Sequence, residues 1–515
     1  MSSVPSPARN PPSHKSDSTH LVRGLSLLDA TMIVIGSMIG SGIFLVSAES
    51  ARLVGSPGWL LVAWAVAGLL TITGALSCAE LAAMMPRAGG QYVFLREAYG
   101  PSLGFLFGWA LFLVVQTGTI AAVAVAFANF LGVLVPAIAS ENYVIAPHIV
   151  AGPYALSLST NQIVAIALIM LLTITNMNGL KTGKLIQNTF TFTKTAALLA
   201  LVLIGLTIGW KVGVRDGAAA WTSSWWNPSL NGWKPDAPQL GFQAVGKTAL
   251  SLALIMFLGK AMVGPLFAQS AWNNVTFTGA EVQNPGRNLP RALLIGCAVV
   301  VSLYLLANLA YVVVLPLKTI QSVEANRVGT AAMQAIFGDT GKIIMAIAIM
   351  ISTFGCNNGL ILAGARVYYA MACDNLFFKR VGTLNAKHVP AFALITQAIW
   401  ASFLTLPRTV STDPSGKVTY GNVYTQLIEY LTSADLVFYG LMVAAVIVLR
   451  KKAAQIERPY RTVGYPFVPL LYIALAFLFV VDLGYLAPRT SGVGYLIVLS
   501  GLPAYLIWRR QAKAR

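Results

Sequence analysis

The chain has 515 residues, of which 57% are hydrophobic and only 10% are charged. An ordinary soluble domain carries roughly 25% charged residues, so most of this surface cannot face water. The formal net charge of +18 would suit a nucleic-acid partner, but the basic residues are gathered in particular loops between long apolar runs. Composition therefore excludes a soluble domain and indicates that lipid is the solvent.

Long apolar runs recur from one end of the chain to the other, each near or above the ~20 residues that a helix needs to cross a bilayer core. Spans are predicted at residues 26–52, 57–85, 100–135, 160–178, 184–209, 247–279, 290–315, 341–372, 389–406, 422–450, 465–486 and 491–508. Only helices or a closed barrel satisfy backbone hydrogen bonds in hydrocarbon, and these runs are too long and uniformly apolar for barrel strands of about ten residues. We predict an all-α polytopic membrane protein of about twelve transmembrane helices.

Basic residues are concentrated in alternate loops: before the first predicted span, after each even-numbered span and at the end of the chain. The other loops are less basic for their length and are more nearly balanced by acids such as Glu141 and Asp236. This positive-inside bias places both termini in the cytoplasm. Residues 1–24 are polar and lack a signal-peptide pattern, so we expect a disordered cytoplasmic tail there and a second short tail at 509–515.

Two predicted external connections, about 136–159 and 211–246, are longer than usual helix links. The second contains four tryptophans that we expect at the membrane interface or over an outer vestibule: Trp221, Trp225, Trp226 and Trp233. The four cysteines all lie in or at the ends of apolar runs, away from these loops: Cys78, Cys297, Cys356 and Cys373. A disulfide-linked partner is therefore not expected.

Patterns of catalysis are missing from the sequence. The four histidines are scattered without metal-ligand spacing, and no Gly-rich phosphate loop with Lys-Ser/Thr is present. We predict that the protein is not an enzyme and that it needs no metal and no cofactor.

The first predicted span contains Gly36-Ser37-Met38-Ile39-Gly40-Ser41-Gly42-Ile43-Phe44, with three glycines and two serines where an unbroken membrane helix is expected. Glycine permits the helix to open. Taken alone, the stretch favours close helix packing instead, since Gly36 and Gly40 form a small-xxx-small face.

A second interruption, Gly264 to Asn274, falls within the sixth predicted span, where Pro265 lacks an amide donor and opposes helix continuation. Two broken helices then open the two five-helix halves, which is the pattern of a transporter built from inverted repeats. We predict repeats at 25–210 and 247–451, separated by the external loop 211–246 and followed by two peripheral helices at 465–508. The second break makes a substrate site near the midplane the better interpretation.

A broken helix exposes N–H groups that attract an anion and carbonyls that attract a cation. Together they suit the zwitterionic part of an α-amino acid. Lys194 lies deep in the fifth span and must find a partner or lose its proton, unless it reaches back to the cytoplasmic interface. For Lys260 we expect a lysine that reaches water in an outer vestibule.

Four segments resemble a known family in their order and spacing. They are Gly40-Ser41-Gly42-Ile43-Phe44 with Gly55-Ser56-Pro57-Gly58; Ala79-Glu80-Leu81 with Pro86, Gly89-Gly90 and Tyr92; Leu266-Phe267-Ala268 with Trp272-Asn273, Glu281 and Arg287-Asn288-Leu289-Pro290-Arg291; and Ala363-Gly364-Ala365-Arg366 with Arg458-Pro459-Tyr460-Arg461. The chain resembles the amino acid-polyamine-organocation superfamily, and within it the L-type amino acid transporter group and its prokaryotic relatives.

The resemblance implies a LeuT-like fold of two inverted five-helix repeats in the cell inner membrane, with alternating access around one site. Amides near Gly40, Ser41 and Gly42 would hold the substrate carboxylate. The ammonium would bind carbonyls near Met38 and Ile39 together with residues of the sixth helix: Phe267, Ala268 and Ser270. Phe267 would also be an aromatic gate.

In the family, the ammonium at the position of Lys194 is thought to stand where sodium-coupled relatives bind sodium. Departures from the family pattern lie at Ser270, which offers a dibasic substrate no counter-ion, at Gln269, where an aromatic residue is common, and at Lys260. An inner ion-pair gate is expected from Glu80, Arg87, Glu281, Arg287 and Arg366; for Arg87 and Arg287 a solvated loop is an equal alternative.

The leading hypothesis is sodium-independent exchange or facilitated uptake of neutral L-amino acids, with Lys194 in place of a coupling sodium. An alternative couples the same uptake to protons carried by Lys194, and the sequence does not choose between them. An amino acid sensor and a polyamine carrier are further alternatives. A sensor should carry a long cytoplasmic domain, and neither predicted tail, 1–24 or 509–515, offers one. A polyamine carrier should place acidic side chains near the site, and the segment from Gly259 to Thr278 has none.

Overall fold

A computed structural model describes residues 21–151, 154–218, 223–234, 250–412, 418–422 and 424–513. The helices are α1 (Leu27–Met38), α2 (Gly42–Leu45), α3 (Ser47–Val54), α4 (Pro57–Met84), α5 (Gln91–Tyr99), α6 (Pro101–Ala110), α7 (Gln116–Leu134), α8 (Thr160–Met177), α9 (Leu180–Arg215), α10 (Leu250–Ala261), α11 (Val263–Ala268), α12 (Asn274–Phe277), α13 (Pro285–Val314), α14 (Leu317–Ser322), α15 (Val328–Cys373), α16 (Ala391–Phe403), α17 (Tyr424–Lys452), α18 (Phe467–Leu486), α19 (Pro488–Leu499) and α20 (Gly501–Lys513). The strands are β1 (Tyr143–Ala151), β2 (Tyr154–Ser159), β3 (Pro407–Thr412) and β4 (Val418–Asn422). A π-helical turn, Leu111–Val115, joins α6 to α7.

Ten helical stretches within the described residues are long and apolar enough to cross a membrane. They are Leu27–Leu45, Pro57–Met84, Pro101–Leu134, Thr160–Met177, Leu180–Arg215, Pro285–Val314, Val328–Cys373, Thr432–Lys452, Phe467–Leu486 and Ser491–Arg510. The predicted spans at 247–279 and 389–406 correspond to the shorter apolar helices Leu252–Ala268 and Ala391–Phe403. The prediction of a polytopic all-α membrane protein is confirmed.

One element of the fold is absent from the sequence-based prediction. The strands β1 to β4 form one antiparallel sheet in chain order, which joins the connection after α7 to the connection after α16. Arg408, in β3, is buried and donates to Ser140 O (2.9 Å), Ser157 Oγ (3.1 Å) and Ser159 Oγ (3.0 Å). In the predicted connection 136–159, residues 143–151 and 154–159 are therefore strands of a sheet.

Two faces of the molecule follow from the order of the helices. The sheet face carries β1 to β4 and the connection from α3 to α4. The N-terminal face carries residues 21–26 and the turn before α13, which are joined by backbone hydrogen bonds from Gly24 and Leu25 to Glu281 O, both 2.9 Å. The helices between these faces pack around α13 and α15: α13 lies against α1, α4 and α9, while α15 lies against α7 and α9.

The loop after α9 folds over the turn between α3 and α4 on the sheet face. Trp233 is buried, and its Nε1 donates to Leu53 O at 2.9 Å. Its ring covers Gly55, which has a φ of +64° and no room for a β-carbon. Trp59 Nε1 donates to Trp226 O at 3.1 Å. Among the four predicted interface tryptophans, Trp225 is also buried, and Trp221 lies outside the described residues.

Candidate functional site

The first break separates α1 from α2. Ile39 is extended (φ −76°, ψ 92°), and α2 begins at Gly42. The chain therefore leaves the helix within the Gly-Ser segment singled out in the sequence. Because the turn is broken, the last carbonyls of α1 have no helical donors and need other partners.

Side chains from three other helices supply those partners. Lys194 Nζ, from α9, donates to Gly36 O (2.6 Å), Ile39 O (2.7 Å) and, more weakly, Ser352 O (3.4 Å). The remaining carbonyls of the turn accept from α13 and α15: Tyr304 to Met38 O at 2.9 Å, Cys356 to Ser37 O at 3.2 Å, and Ser352 to Gly40 O at 3.0 Å. Each carbonyl from residue 36 to residue 40 thus has a side-chain donor.

Lys194 is the ionic centre of this arrangement. Its side chain is 1% exposed and ends inside the break, so it does not extend to either face. An ammonium has three N–H donors, and three carbonyls lie within hydrogen-bonding distance. None of the ion pairs among the described residues includes Lys194, so its charge is compensated by carbonyl dipoles.

The residues predicted to hold the substrate carboxylate are tightly packed. Gly40, Ser41 and Gly42 are all buried. A β-carbon on Gly42 would lie 2.7 Å from Ala268 Cβ and 3.0 Å from its Cα, so the start of α2 touches α11 directly. The carbonyls of Met38 and Ile39, predicted to bind the ammonium, accept bonds from Tyr304 and Lys194 here.

The second break lies between α11 and α12. Pro265 stands inside α11 and does not end it: the helix continues to Ala268, and the break occupies the next five residues, Gln269 to Asn273. Ala271, inside the break, has a φ of +63°, in the left-handed region. The helix continues past the proline because a missing amide matters little near a helix start. Ser270 Oγ donates to Phe267 O at 2.7 Å.

A cavity lies beside this second break. Its empty volume is about 710 Å³, which includes open solvent at the mouth. Phe267 and Ser270 line it. The other predicted substrate residues do not: Met38, Ile39, Gly40, Ser41, Gly42 and Ala268. The structure thus brings the two breaks into contact through Gly42 and Ala268, with the open space on the side of α11 and α12.

Part of the cavity wall comes from α17. Thr432, Asp435, Leu436 and Tyr439 line it at the spacing of one helical face. Sequence reasoning missed Asp435, although an ionisable residue inside a predicted span is by itself a signal of a functional site. The segment from Gly259 to Thr278 contains no acidic residue, and this carboxylate comes from a helix much later in the chain.

Buried ion pairs hold the N-terminal face together. Arg366 and Glu281 join α15 to the turn before α13 at 2.8 Å, with side chains 2% and 1% exposed. Glu80 pairs with Arg450 at 2.7 Å and with Arg458 at 3.4 Å. Arg87 lies 3.7 Å from Glu97 and is 65% exposed, and Arg287 is exposed without an ion pair to another described residue. The solvated alternative fits Arg87 and Arg287.

We expect Glu281→Gln to destabilise the protein by about 3–5 kcal/mol, because it leaves the buried Arg366 guanidinium without its counter-ion. The measurement is the thermal unfolding midpoint of the purified protein in detergent. Arg87→Ala is the matched control, since an exposed pair contributes about 1 kcal/mol at most. Equal shifts in the two variants would show that the buried pair has no special role.

The sheet face is bridged as well. Arg52, in α3, donates to Gln321 O (2.6 Å) and Asn326 Oδ1 (2.7 Å), and Gln321 Nε2 donates back to Ala51 O (3.0 Å). These bonds connect the helix that follows the first break to α14 and the turn after it. Ion pairs on the N-terminal face and hydrogen bonds on the sheet face therefore connect the helices that flank the two breaks.

Apolar spanning helices, two breaks in contact and a polar cavity beside them define a polytopic membrane carrier. The chain belongs to the amino acid permease family, whose model matches residues 25–507. It is 28% identical over 488 residues to the serine/threonine exchanger SteT of Bacillus subtilis (strain 168), covering 94% of this chain and 96% of the relative. Its family and relatives are transporters and not enzymes.

Two human relatives are similar at comparable levels. The large neutral amino acids transporter small subunit 2 is 29% identical over 498 residues, covering 96% of this chain and 82% of the relative. The b(0,+)-type amino acid transporter 1 is 27% identical over 507 residues, covering 96% and 90%. The resemblance to this superfamily predicted from the sequence motifs is confirmed.

Proposed function

We propose that the protein exchanges neutral L-amino acids across the cell inner membrane by alternating access, without sodium. The observation that carries the proposal is the Lys194 ammonium on Gly36 O and Ile39 O. A fixed cation at the carbonyl end of a broken helix does the electrostatic work of a bound metal cation. A coupling sodium is then superfluous.

In this proposal the substrate zwitterion binds between the two breaks. Amides near Gly40, Ser41 and Gly42 take its carboxylate, and its ammonium contacts carbonyls near Met38, Ile39, Phe267 and Ala268 or the Ser270 hydroxyl. A carbonyl oxygen has two lone pairs, so Met38 O can accept from Tyr304 and from substrate together. Because Gly42 touches Ala268, substrate enters only when α2 and α11 separate.

We further propose that two inverted repeats, 25–210 and 247–451, move relative to each other, with both termini in the cytoplasm. The N-terminal face is then the cytoplasmic one. Cys78, Cys297 and Cys356 are buried, and Cys373 lies on the N-terminal face. The proposed carrier acts without a disulfide-linked heavy chain, since none of these thiols would face the outside.

The alternative is proton-coupled symport with Lys194 as the proton carrier. It is favoured by the burial of Lys194 and by the lack of a carboxylate partner for it among the described residues. Loss of the proton would remove the charge and one of the three N–H donors, weaken the bonds to Gly36 O and Ile39 O, and so couple protonation to the shape of the break.

Uptake into proteoliposomes distinguishes the two. Labelled alanine, serine and leucine are offered to empty vesicles, to vesicles preloaded with the same unlabelled amino acids, and to empty vesicles under an inward proton gradient, all without sodium. Exchange predicts stimulation by preloading alone. Stimulation of empty vesicles by the proton gradient would make the protein a symporter, and a requirement for sodium would overturn the proposal.

A further inference from the structure

The walls of the cavity beside the second break have an unusual chemical composition. Among its lining residues are one carboxylate, Asp435, and five aromatic side chains: Phe267, Trp272, Phe277, Tyr439 and Tyr472. The described lining includes no lysine, arginine or histidine. The cavity is therefore aromatic with a single carboxylate, and no basic side chain in its described lining compensates Asp435.

Asp435 is held in a rigid part of this wall. Tyr439, one turn further along α17, stacks on Trp272 with ring centroids 5.1 Å apart and an interplanar angle of 18°. Its hydroxyl donates to Asn273 Oδ1 at 2.9 Å. These contacts join α17 to the second break, and Asp435 and Ser270 line the same cavity.

The chemistry of the cavity wall favours a cationic ligand group. A carboxylate within a membrane-spanning helix is costly unless a cation or a polar cavity compensates it. Among the described residues no basic side chain forms an ion pair with Asp435. Aromatic faces attract ammonium and guanidinium groups, and an ammonium also supplies the donors that carboxylate oxygens need.

We propose that Asp435 binds the side-chain ammonium or guanidinium of a cationic amino acid, so that the carrier exchanges lysine- and arginine-type substrates as well as neutral ones. The proposal rests on the proposed function, in which the α-amino acid part binds at the two breaks. The side chain then extends past Phe267 and Ser270 toward α17. This adds to the sequence-based selectivity argument, because the counter-ion absent at position 270 comes from another helix.

The first test uses the wild-type protein in proteoliposomes. Vesicles are preloaded with unlabelled lysine, arginine or alanine, and uptake of labelled alanine is measured. We expect lysine and arginine to drive uptake as alanine does. Exchange of internal lysine for external alanine moves one positive charge outward, so an inside-positive potential should accelerate it. Active exchange with alanine inside, but none with lysine or arginine, overturns this inference and leaves the proposed function standing.

Variants then test Asp435 itself. We expect Asp435→Asn to weaken half-maximal competition by lysine at least about tenfold more than competition by alanine, as for the loss of one partner of a desolvated charge pair. Asp435→Glu should retain lysine recognition. The matched control is Asp482→Asn, which removes another half-buried membrane carboxylate, one that lies against Gly259 and does not line the cavity.

Two outcomes of the variant series contradict the inference. Equal losses for lysine and alanine would make Asp435 a structural residue. A changed response to a pH gradient with unchanged lysine selectivity would make it a proton carrier instead. If the wild-type protein exchanges no amino acid at all, the proposed function fails, and that result is distinct from a failure of selectivity.

Discussion

Lys194→Ala is expected to reduce amino acid exchange by about 30-fold or more while the protein still inserts and folds. The variant leaves Gly36 O, buried in the break, without its donor, and leaves Ile39 O with the Ser352 hydroxyl at 3.2 Å as its remaining donor. Each unsatisfied buried carbonyl costs about 1–3 kcal/mol, and every 1.4 kcal/mol is a factor of ten. The cost falls on the closed arrangement of α1 and α2, so the variant should fail to complete the transport cycle.

The measurement is preloaded exchange of labelled alanine in proteoliposomes, with protein recovery checked by gel filtration in detergent. Lys181→Ala is the matched control, because it removes an exposed lysine near the start of the same helix, α9. Lys194→Met keeps a long side chain without the charge and should resemble Lys194→Ala. Unchanged exchange kinetics in both Lys194 variants would refute a coupling role.

Lys194→Met also separates the two coupling schemes. If the protein is an exchanger, the variant should lose exchange, and its uptake should be insensitive to a proton gradient, as uptake by the wild-type protein is. If the protein is a proton symporter, the variant should lose the stimulation by an inward proton gradient while residual exchange between preloaded vesicles and medium persists. The same vesicle preparations serve for both measurements.

Gly42→Val should strongly reduce amino acid binding and uptake. A β-carbon at this position would lie 2.7 Å from Ala268 Cβ and 3.0 Å from its Cα, so α2 must move away from α11, and valine adds two more methyl groups. Overpacking of this kind costs about 1–3 kcal/mol, which corresponds to roughly five- to 150-fold in binding. The proposed carboxylate niche would be filled at the same time.

Binding of labelled alanine and leucine to the purified protein measures this effect directly. Gly484→Val is the control, since a β-carbon on Gly484 of α18 would meet nothing within 4 Å. The double variant Gly42→Ala with Ala268→Gly removes the contact between β-carbons and should recover part of the affinity lost in Gly42→Ala. Normal affinity for alanine or leucine in Gly42→Val would show that the substrate does not bind at the first break.

The sequence predicted the parts of the site that depend on local chemistry. Glycine and serine inside an apolar run indicate a broken helix wherever they occur, and the break between Met38 and Gly42 lies within that segment. Lys194 was identified for the same kind of reason, because a lysine far inside a span needs a partner. The second break, Gln269 to Asn273, also lies within its predicted segment, Gly264 to Asn274, but Pro265 stands inside α11 and not at the break.

By itself, then, the sequence determined that the chain is a bundle of membrane-spanning helices with two interruptions and one deeply placed lysine, because hydropathy and glycine content act over one or two helical turns. Only the tertiary structure decided which groups meet. The partners of Lys194 lie 155 and 158 residues away, the sheet joins two connections distant in the chain, and Asp435 of α17 lines the cavity beside the second break. Helices that are apolar on both their lipid-facing and protein-facing sides carry little pattern to show which side packs inward. Packing between distant segments therefore decides which helices are neighbours. The same packing places Asp435, the carboxylate that we propose sets the substrate range, at the cavity beside the second break.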